Sequence, residues 1–251
     1  MKGIRCFSVQ IYRAICSRRF LFACLGIGIV MYGSSFSNLE LGMDFWSVWM
    51  FAGGMGSFVI ALAVFPLFPF SMSYVEEYNG KNLPMWSMRT GIKSYMRAKF
   101  AAAILSGMLA YTAGMSLYLG LVLIHQPAFT GRVQGAYGVF VELDKPVIYI
   151  FLTIFHRSLS AAAFCALSIC VSVYIPNRFA AIIMPLVCYF LSLRMLTFLP
   201  PNLRLSAWIE GVVDAGTPFL SLLLKLGFMI LITTAAGSLA IEKAERRMRD
   251  E

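Results

Sequence analysis

"VEEYNGKNLPMWSMRTGIKSYMRAKF" (residues 75–100) separates two long apolar runs. It holds the adjacent acids Glu76 and Glu77, five Lys/Arg residues, Gly80, Gly91, Pro84 and Trp86. A segment this polar between two apolar runs reads as a loop that leaves a membrane and returns to it. That reading sets the fold for the rest of the chain. A spanning helix needs roughly 20 mainly apolar residues. Six such stretches follow: about 20–37, 46–73, 100–124, 146–174, 179–199 and 219–241.

The bulk numbers agree. The 251 residues are 59% hydrophobic and 13% charged, with a mean hydropathy of +0.76. A soluble domain is about 45–50% apolar and about a quarter charged. The expectation is an all-α, polytopic membrane protein, with residues 1–251 forming one domain of six transmembrane helices. The first apolar run follows a basic segment but has no clear small-x-small cleavage site, so it reads as a retained anchor.

The net charge of +9 raises the question of nucleic acid, and its distribution argues against it. With the N-terminus in the cytoplasm, the inner segments hold Lys2, Arg5, Arg13, Arg18, Arg19, Lys81, Arg89, Lys93, Arg97, Lys99, Arg178, Lys243, Arg246, Arg247 and Arg249. The outer loops hold only Arg132, Lys145 and Arg204. So skewed a split is the positive-inside pattern, and it predicts cytoplasmic termini. Attraction to anionic membrane lipid accounts for the remaining use of the charge.

Ahead of the first span, Ile4, Phe7, Ile11 and Ile15 recur at helical spacing, which predicts an interfacial amphipathic helix over residues 1–19. The outer loops lie near 38–44, 125–145 and 200–218, and "LSAWIEGVV" in the last predicts a short helix on the outer surface. Beyond the sixth span, Glu242/Arg246 and Glu245/Arg249 are i,i+4 pairs that would extend the helix into solvent. The six cysteines avoid the outer loops and show no CxxC spacing, so they read as small buried hydrophobes.

Catalytic and cofactor motifs are scarce. There is no G-x-x-x-x-G-K-[ST] phosphate loop and no H-E-x-x-H. Gly53 and Ser57, or Ala110 and Gly114, read as small residues that let helices approach closely. Ser57 or Ser106 with His156 is the only combination that resembles an intramembrane Ser/His pair, and no Asp lies in an apolar stretch. The pair His156-Arg157 admits two readings. Counted from Pro146 at 1.5 Å per residue, Arg157 lies about 16 Å down, near the midplane, where a charge faces a cavity or a partner. If the span begins nearer Ile154, Arg157 snorkels outward. Arg194 and Lys225 lie closer to outer ends and are read as snorkelling.

Within 75–100, Pro66 and Pro69 should kink the preceding span before Glu76 and Glu77 leave the membrane. Asn82-Leu83-Pro84 is a helix start and Gly91 a stop. A two-turn helix between them would expose a docking surface to the cytoplasm. "IKSYMRAKF" then leads into the third span with Lys93/Arg97 and Tyr95/Lys99 at i,i+4.

The order Glu77, Gly80, Arg89, Tyr95, Lys99 and then Ser106-Gly107 resembles the second-to-third-span region of permease subunits of ABC-2-type transporters. "SVYIPNRFAAIIMPLVCYFL" (172–191), with its brief break and Pro185, is similar to that family too. So are the six spans, the cytoplasmic termini and the interfacial helix. The resemblance implies a non-catalytic subunit of an ATP-driven pump in a bacterial cytoplasmic (plasma) membrane. ABC-type ATPase subunits, which bind ATP and Mg, would dock on a coupling helix within 76–92. A second permease subunit would complete the path. It implies docking roles for Glu76, Glu77, Tyr78, Gly80, Pro84, Trp86 and Arg89; His156 and Arg157 stand apart, by their depth in the span, as a candidate pathway or intramembrane polar site. Export is the expected direction, since no outer capture domain is encoded. The alternatives are a six-span substrate-capture subunit, which would bind a small ligand by itself, and an intramembrane enzyme, which would need a polar cluster within the spans.

Overall fold

The computed structural model describes residues 2–52, 61–83, 85, 90–133, 135–195, 198, 208–209 and 215–250. Among them every regular element is helical and there is no strand. In chain order these are α1 (Lys2–Ile15), α2 (Arg18–Glu40), α3 (Phe45–Ala52), a 3₁₀ turn (Phe65–Leu67), α4 (Ser73–Asn79), α5 (Ile92–His125), α6 (Val139–Glu142), α7 (Pro146–Tyr174), α8 (Arg178–Met195) and α9 (Pro218–Asp250).

Among the described residues, four helices are long and apolar enough to cross a membrane: α2 over Arg18–Phe36, α5, α7, and α9 over Pro218–Arg249. The chain is therefore a membrane protein. Of the other two expected spans, α8 forms with 18 residues, near the lower limit for crossing. The run 46–73 is not one continuous helix. Pro66 and Pro69 remove two backbone donors and crowd the preceding turn, so the chain passes through the 3₁₀ turn and further turns at 68–72. The expected kink is a full break.

At the centre stands α7, with 72% of its apolar window buried against 22% for α9. It packs against α5, α8 and α9, while α2 packs along α5. The burial of α7 follows from its sequence. Ser158, Ser160, Ala161, Ala162, Ala163, Ala166 and Ser168 are small and let neighbours approach closely. The α2–α5 crossing uses the same device, because a Cβ on Gly114 would lie 2.6 Å from the Ile27 Cβ. Two apolar clusters fill the bundle. An aromatic one joins Trp46, Trp49, Tyr118 and Tyr149 towards the α3 end. The other, at the end holding the basic residues, joins Ala14, Phe70, Tyr74, Tyr95, Phe100 and Ala240.

The loop 126–133 is tied to the start of α3. The Trp46 indole donates to the Phe129 carbonyl at 3.1 Å, and the Trp46 amide to that of Thr130 at 3.3 Å. Gly131 holds φ +103 and lies where a Cβ would overlap the Asp44 carboxylate, so no other residue fits there.

The amphipathic helix α1 forms as expected, but its inner face is different. Gln10 and Ala14 are buried, with Cys6 and Ile11 beside them, because α1 packs along the first turns of α5. At the other terminus Glu242 pairs with Arg246 as expected. Glu245 instead reaches across to Lys93 on α5, at 3.4 Å. The six cysteines are free, with Cys16 and Cys188 exposed rather than buried.

The break is sealed by α5 and α7. The Cys165 thiol donates to the Pro66 carbonyl at 3.3 Å, which satisfies a backbone acceptor in the apolar interior. A Cβ on Gly107 would lie 2.3 Å from that sulfur and 3.2 Å from that carbonyl. Gly107→Ala should therefore lower stability by about 1–3 kcal/mol, the usual cost of overpacking, despite alanine's better helix propensity. Thermal unfolding in detergent measures this, and Cys165→Ala in the same chain should recover part of the loss.

Candidate functional site

Glu76 and Glu77 lie on α4, where the chain leaves the broken apolar run. The Glu77 carboxylate is 5% exposed as a residue and accepts three donors. Lys99 Nζ lies 2.5 Å from its Oε2, the Tyr95 hydroxyl donates to the same oxygen, and Arg13 Nη1 donates to Oε1 at 3.0 Å. Tyr95 and Lys99 are four residues apart on α5 and so share a face, and Lys99 Nζ also donates to the Tyr95 hydroxyl at 2.7 Å. Lys99 is fully buried. Its ammonium lies 4.9 Å from the Tyr95 ring centroid and 5.8 Å from that of Phe70, both within cation–π range.

Glu76 faces the other way and is half-buried. It pairs with Arg19 at the start of α2, at 2.7 Å, and with Arg178 at the start of α8, at 3.8 Å. The two neighbouring carboxylates thus hold α1, α2, α5 and α8 together. Tyr78 adds α9: the Arg247 guanidinium lies 4.9 Å from its ring centroid and donates to the Val173 carbonyl at 3.1 Å. Cys6 sits beside this cluster. Burial pushes its thiol up, with the neighbouring Lys99 opposing, so it stays protonated at neutral pH and is a poor nucleophile.

These positions revise the sequence reading. Glu77 and Tyr78 face inward rather than towards a partner, because α4 is short and turns against α5. Lys99, read as basic flanking, is instead the buried counter-charge. The residues left outside are Asn79, Gly80, Lys81, Asn82 and Met85. Gly80 closes α4, its amide donating to the Glu76 carbonyl. Lys81 holds φ +54, and Gly91 at φ +80 marks the start of α5. Leu83, Met85 and Thr90 have helical backbone, and the rest of the short helix expected between Pro84 and Gly91 lies outside the described residues. Pro84, Trp86 and Arg89 lie outside the described residues. Arg13 and Tyr95 were missed as functional positions; the Tyr95/Lys99 spacing was the available signal, whereas nothing local links Arg13 to Glu77 across 64 residues.

A second polar group lies deep between the helices. His156 is buried, and its Nδ1 is 2.7 Å from the Tyr137 hydroxyl. Burial pushes the Tyr137 hydroxyl up to about 12, so it stays protonated. Arg157, half-buried beside it, faces the Tyr111 hydroxyl. Lys225 does not snorkel. It is 1% exposed, donates to Ser160 Oγ at 2.7 Å and donates to the Trp208 carbonyl. Ser160 in turn donates to the Ile209 carbonyl at 2.8 Å. Trp208 and Ile209, placed by sequence on an outer surface, therefore reach the middle of α7. Ser106 donates to its own helix at Ala103, away from His156. Gly53 and Ser57 lie outside the described residues.

The chain matches no protein-family model, no curated protein and no solved structure.

Removing one member of a buried ion pair leaves the other uncompensated, at about 3–5 kcal/mol. Lys99→Met should cost up to that much, Arg13 remaining as a half-exposed counter-charge to Glu77, and Lys99→Met with Glu77→Leu should restore most of it. Thermal midpoints of the purified variants decide the point; a single variant as stable as the double would contradict the pairing.

Proposed function

We propose that this chain is the membrane-spanning permease subunit of an ATP-driven transporter of the ABC-2 type, set in a bacterial cytoplasmic membrane. The carrying observation is the anchorage of Glu76 and Glu77. The segment that follows them keeps 79–82 and Met85 exposed and is tied through these two acids to α1, α2, α5 and α8. A force applied to that segment reaches four helices. Two of these, α2 and α5, are long and apolar enough to cross the bilayer.

In this reading the basic end is cytoplasmic, in keeping with the positive-inside bias, and α3 with residues 61–72 makes the broken second of six spans. ATPase subunits, which bind ATP and Mg, dock on 79–92. The chain itself contributes no catalysis. As the ATPases close, the coupling segment moves. The Glu77–Lys99 pair resists separation, because parting it would strand a charge in an apolar site. The displacement is therefore passed to α5 and, through Arg13, to α1. Two copies, identical or paralogous, alternate between two arrangements whose balance the ATPases shift, moving substrate outward.

Docking thus moves from Glu77 to the exposed neighbours Lys81, Asn82 and Met85. Lys81→Glu with Met85→Asp should reduce co-elution of an ABC-type ATPase produced from the neighbouring genes, where one is found, at least about ten-fold, the effect of roughly 1.4 kcal/mol, while the permease still purifies folded. Undiminished co-elution removes these residues from the interface. Absence of any ATPase partner for the unaltered chain refutes the transporter reading itself.

A further inference from the structure

Between the first turns of α5 and the last turns of α9 lies an open groove of about 600 Å³, a volume typical of ligand sites. On α5 it is lined by Lys93, Arg97, Phe100 and Ile104, a stripe of helical period. The facing stripe on α9 includes Gly237, Ile241 and Glu245. The helices run antiparallel. Lys93 meets Glu245 at 3.4 Å, and Gly237 lies opposite the Phe100 ring. From Lys93 to Ile104 the groove is about 16 Å long at 1.5 Å per residue. That is close to one leaflet, half of a hydrocarbon core of about 30 Å.

The groove is graded in polarity. At its deep end Thr233 and Thr234 donate to their own helix, to the Met229 and Ile230 carbonyls at 2.8 and 2.7 Å. Ser238 does the same to Ala235 at 2.9 Å. With these hydroxyls satisfied, the wall presents carbon. At its mouth sit two acids and two bases, but the acids are already taken: Glu242 by Arg246 and Glu245 by Lys93. Arg97 is exposed and makes no ion pair among the described residues. The mouth therefore offers one uncommitted guanidinium, which suits a phosphate diester because its donors form a planar fork.

We infer that the α5–α9 groove is a binding site for a glycerophospholipid with an anionic headgroup. One acyl chain lies along Phe100, Ile104 and Gly237, and the headgroup phosphate sits on Arg97 with Lys93 beside it. A single tail and a single phosphate match a groove one leaflet long with one free cation at its rim. The site lies in the leaflet at the basic end of the bundle. It needs only the two spanning helices and that charge, so it stands apart from the transporter reading. Its occupant would bridge α5, which carries the Lys99 anchor, to α9.

The test is native mass spectrometry of the purified chain with phosphatidylglycerol or with phosphatidylcholine of the same acyl composition. The unaltered protein should retain phosphatidylglycerol in preference. Arg97→Gln, at an exposed position, should weaken that retention about five-fold, the effect of one basic residue at an anionic membrane surface. Gly237→Phe, which fills the groove, should reduce retention of both lipids. Equal retention of the two lipids by the unaltered protein overturns the proposal, as does Arg97→Gln holding phosphatidylglycerol at the unaltered level. If Gly237→Phe fails to fold, the lipid competition on the unaltered chain decides alone.

Discussion

Two adjacent carboxylates hold the basic end of this bundle together. Glu77 is withdrawn from water and meets Lys99, Tyr95 and Arg13; Glu76, half-exposed, meets Arg19 and Arg178. Burying a carboxylate is expensive unless its lone pairs are met by donors and its charge by an opposite one. Here both conditions hold at Glu77, and Lys99 receives in exchange a carboxylate, a hydroxyl and aromatic faces. Net stability from such a pair is modest, because attraction is offset by desolvation. Its larger effect is on geometry. Any rearrangement that parts α4 from α5 strands a charge, so the two move together.

The same constraint, that polar groups in an apolar medium must be met inside the protein, shapes the rest of the molecule. The chain breaks at Pro66, and the Cys165 thiol meets a carbonyl there. The backbone at Trp208 and Ile209 lies against α7 and α9, where Ser160 and Lys225 meet its carbonyls. Threonines and serines along α9 turn back on their own helix. Non-helical backbone at membrane depth is tolerated where protein rather than lipid surrounds it. The irregular stretches accordingly lean on α7, the most enclosed helix, and at Trp208 on the buried face of α9 as well.

The proposed force-transmitting role rests on this distribution. The exposed residues 79–82 and Met85 and the groove between α5 and α9 lie at the end that holds the carboxylate anchor. The deeper group around His156, Arg157 and Lys225 lies towards the other end. A device worked from the basic end would reach that group through α5 and α7, which pack along much of their length.

Hydropathy and its interruptions made much of the fold legible. The limits of α7 and the start of α9 follow from apolar runs of spanning length, and the interruptions at 41–44 and 126–133 fall where those runs end. Gly91 could be read as a stop because glycine alone takes its backbone angle without cost. The spacing of Tyr95 and Lys99 placed them on one face. What the sequence left open was direction. Glu77 reads equally well as a displayed acid or a buried one, since one turn of helix decides which way it faces, and that turn is set by packing on α5. Lys225 reads as a snorkelling base because the carbonyls that hold it belong to residues 16 and 17 positions away. Local pattern determined which segments are helical and apolar. Only the tertiary structure decided which charges are buried together, because an ion pair between Arg13 and Glu77, 64 residues apart, exists only once the helices have met.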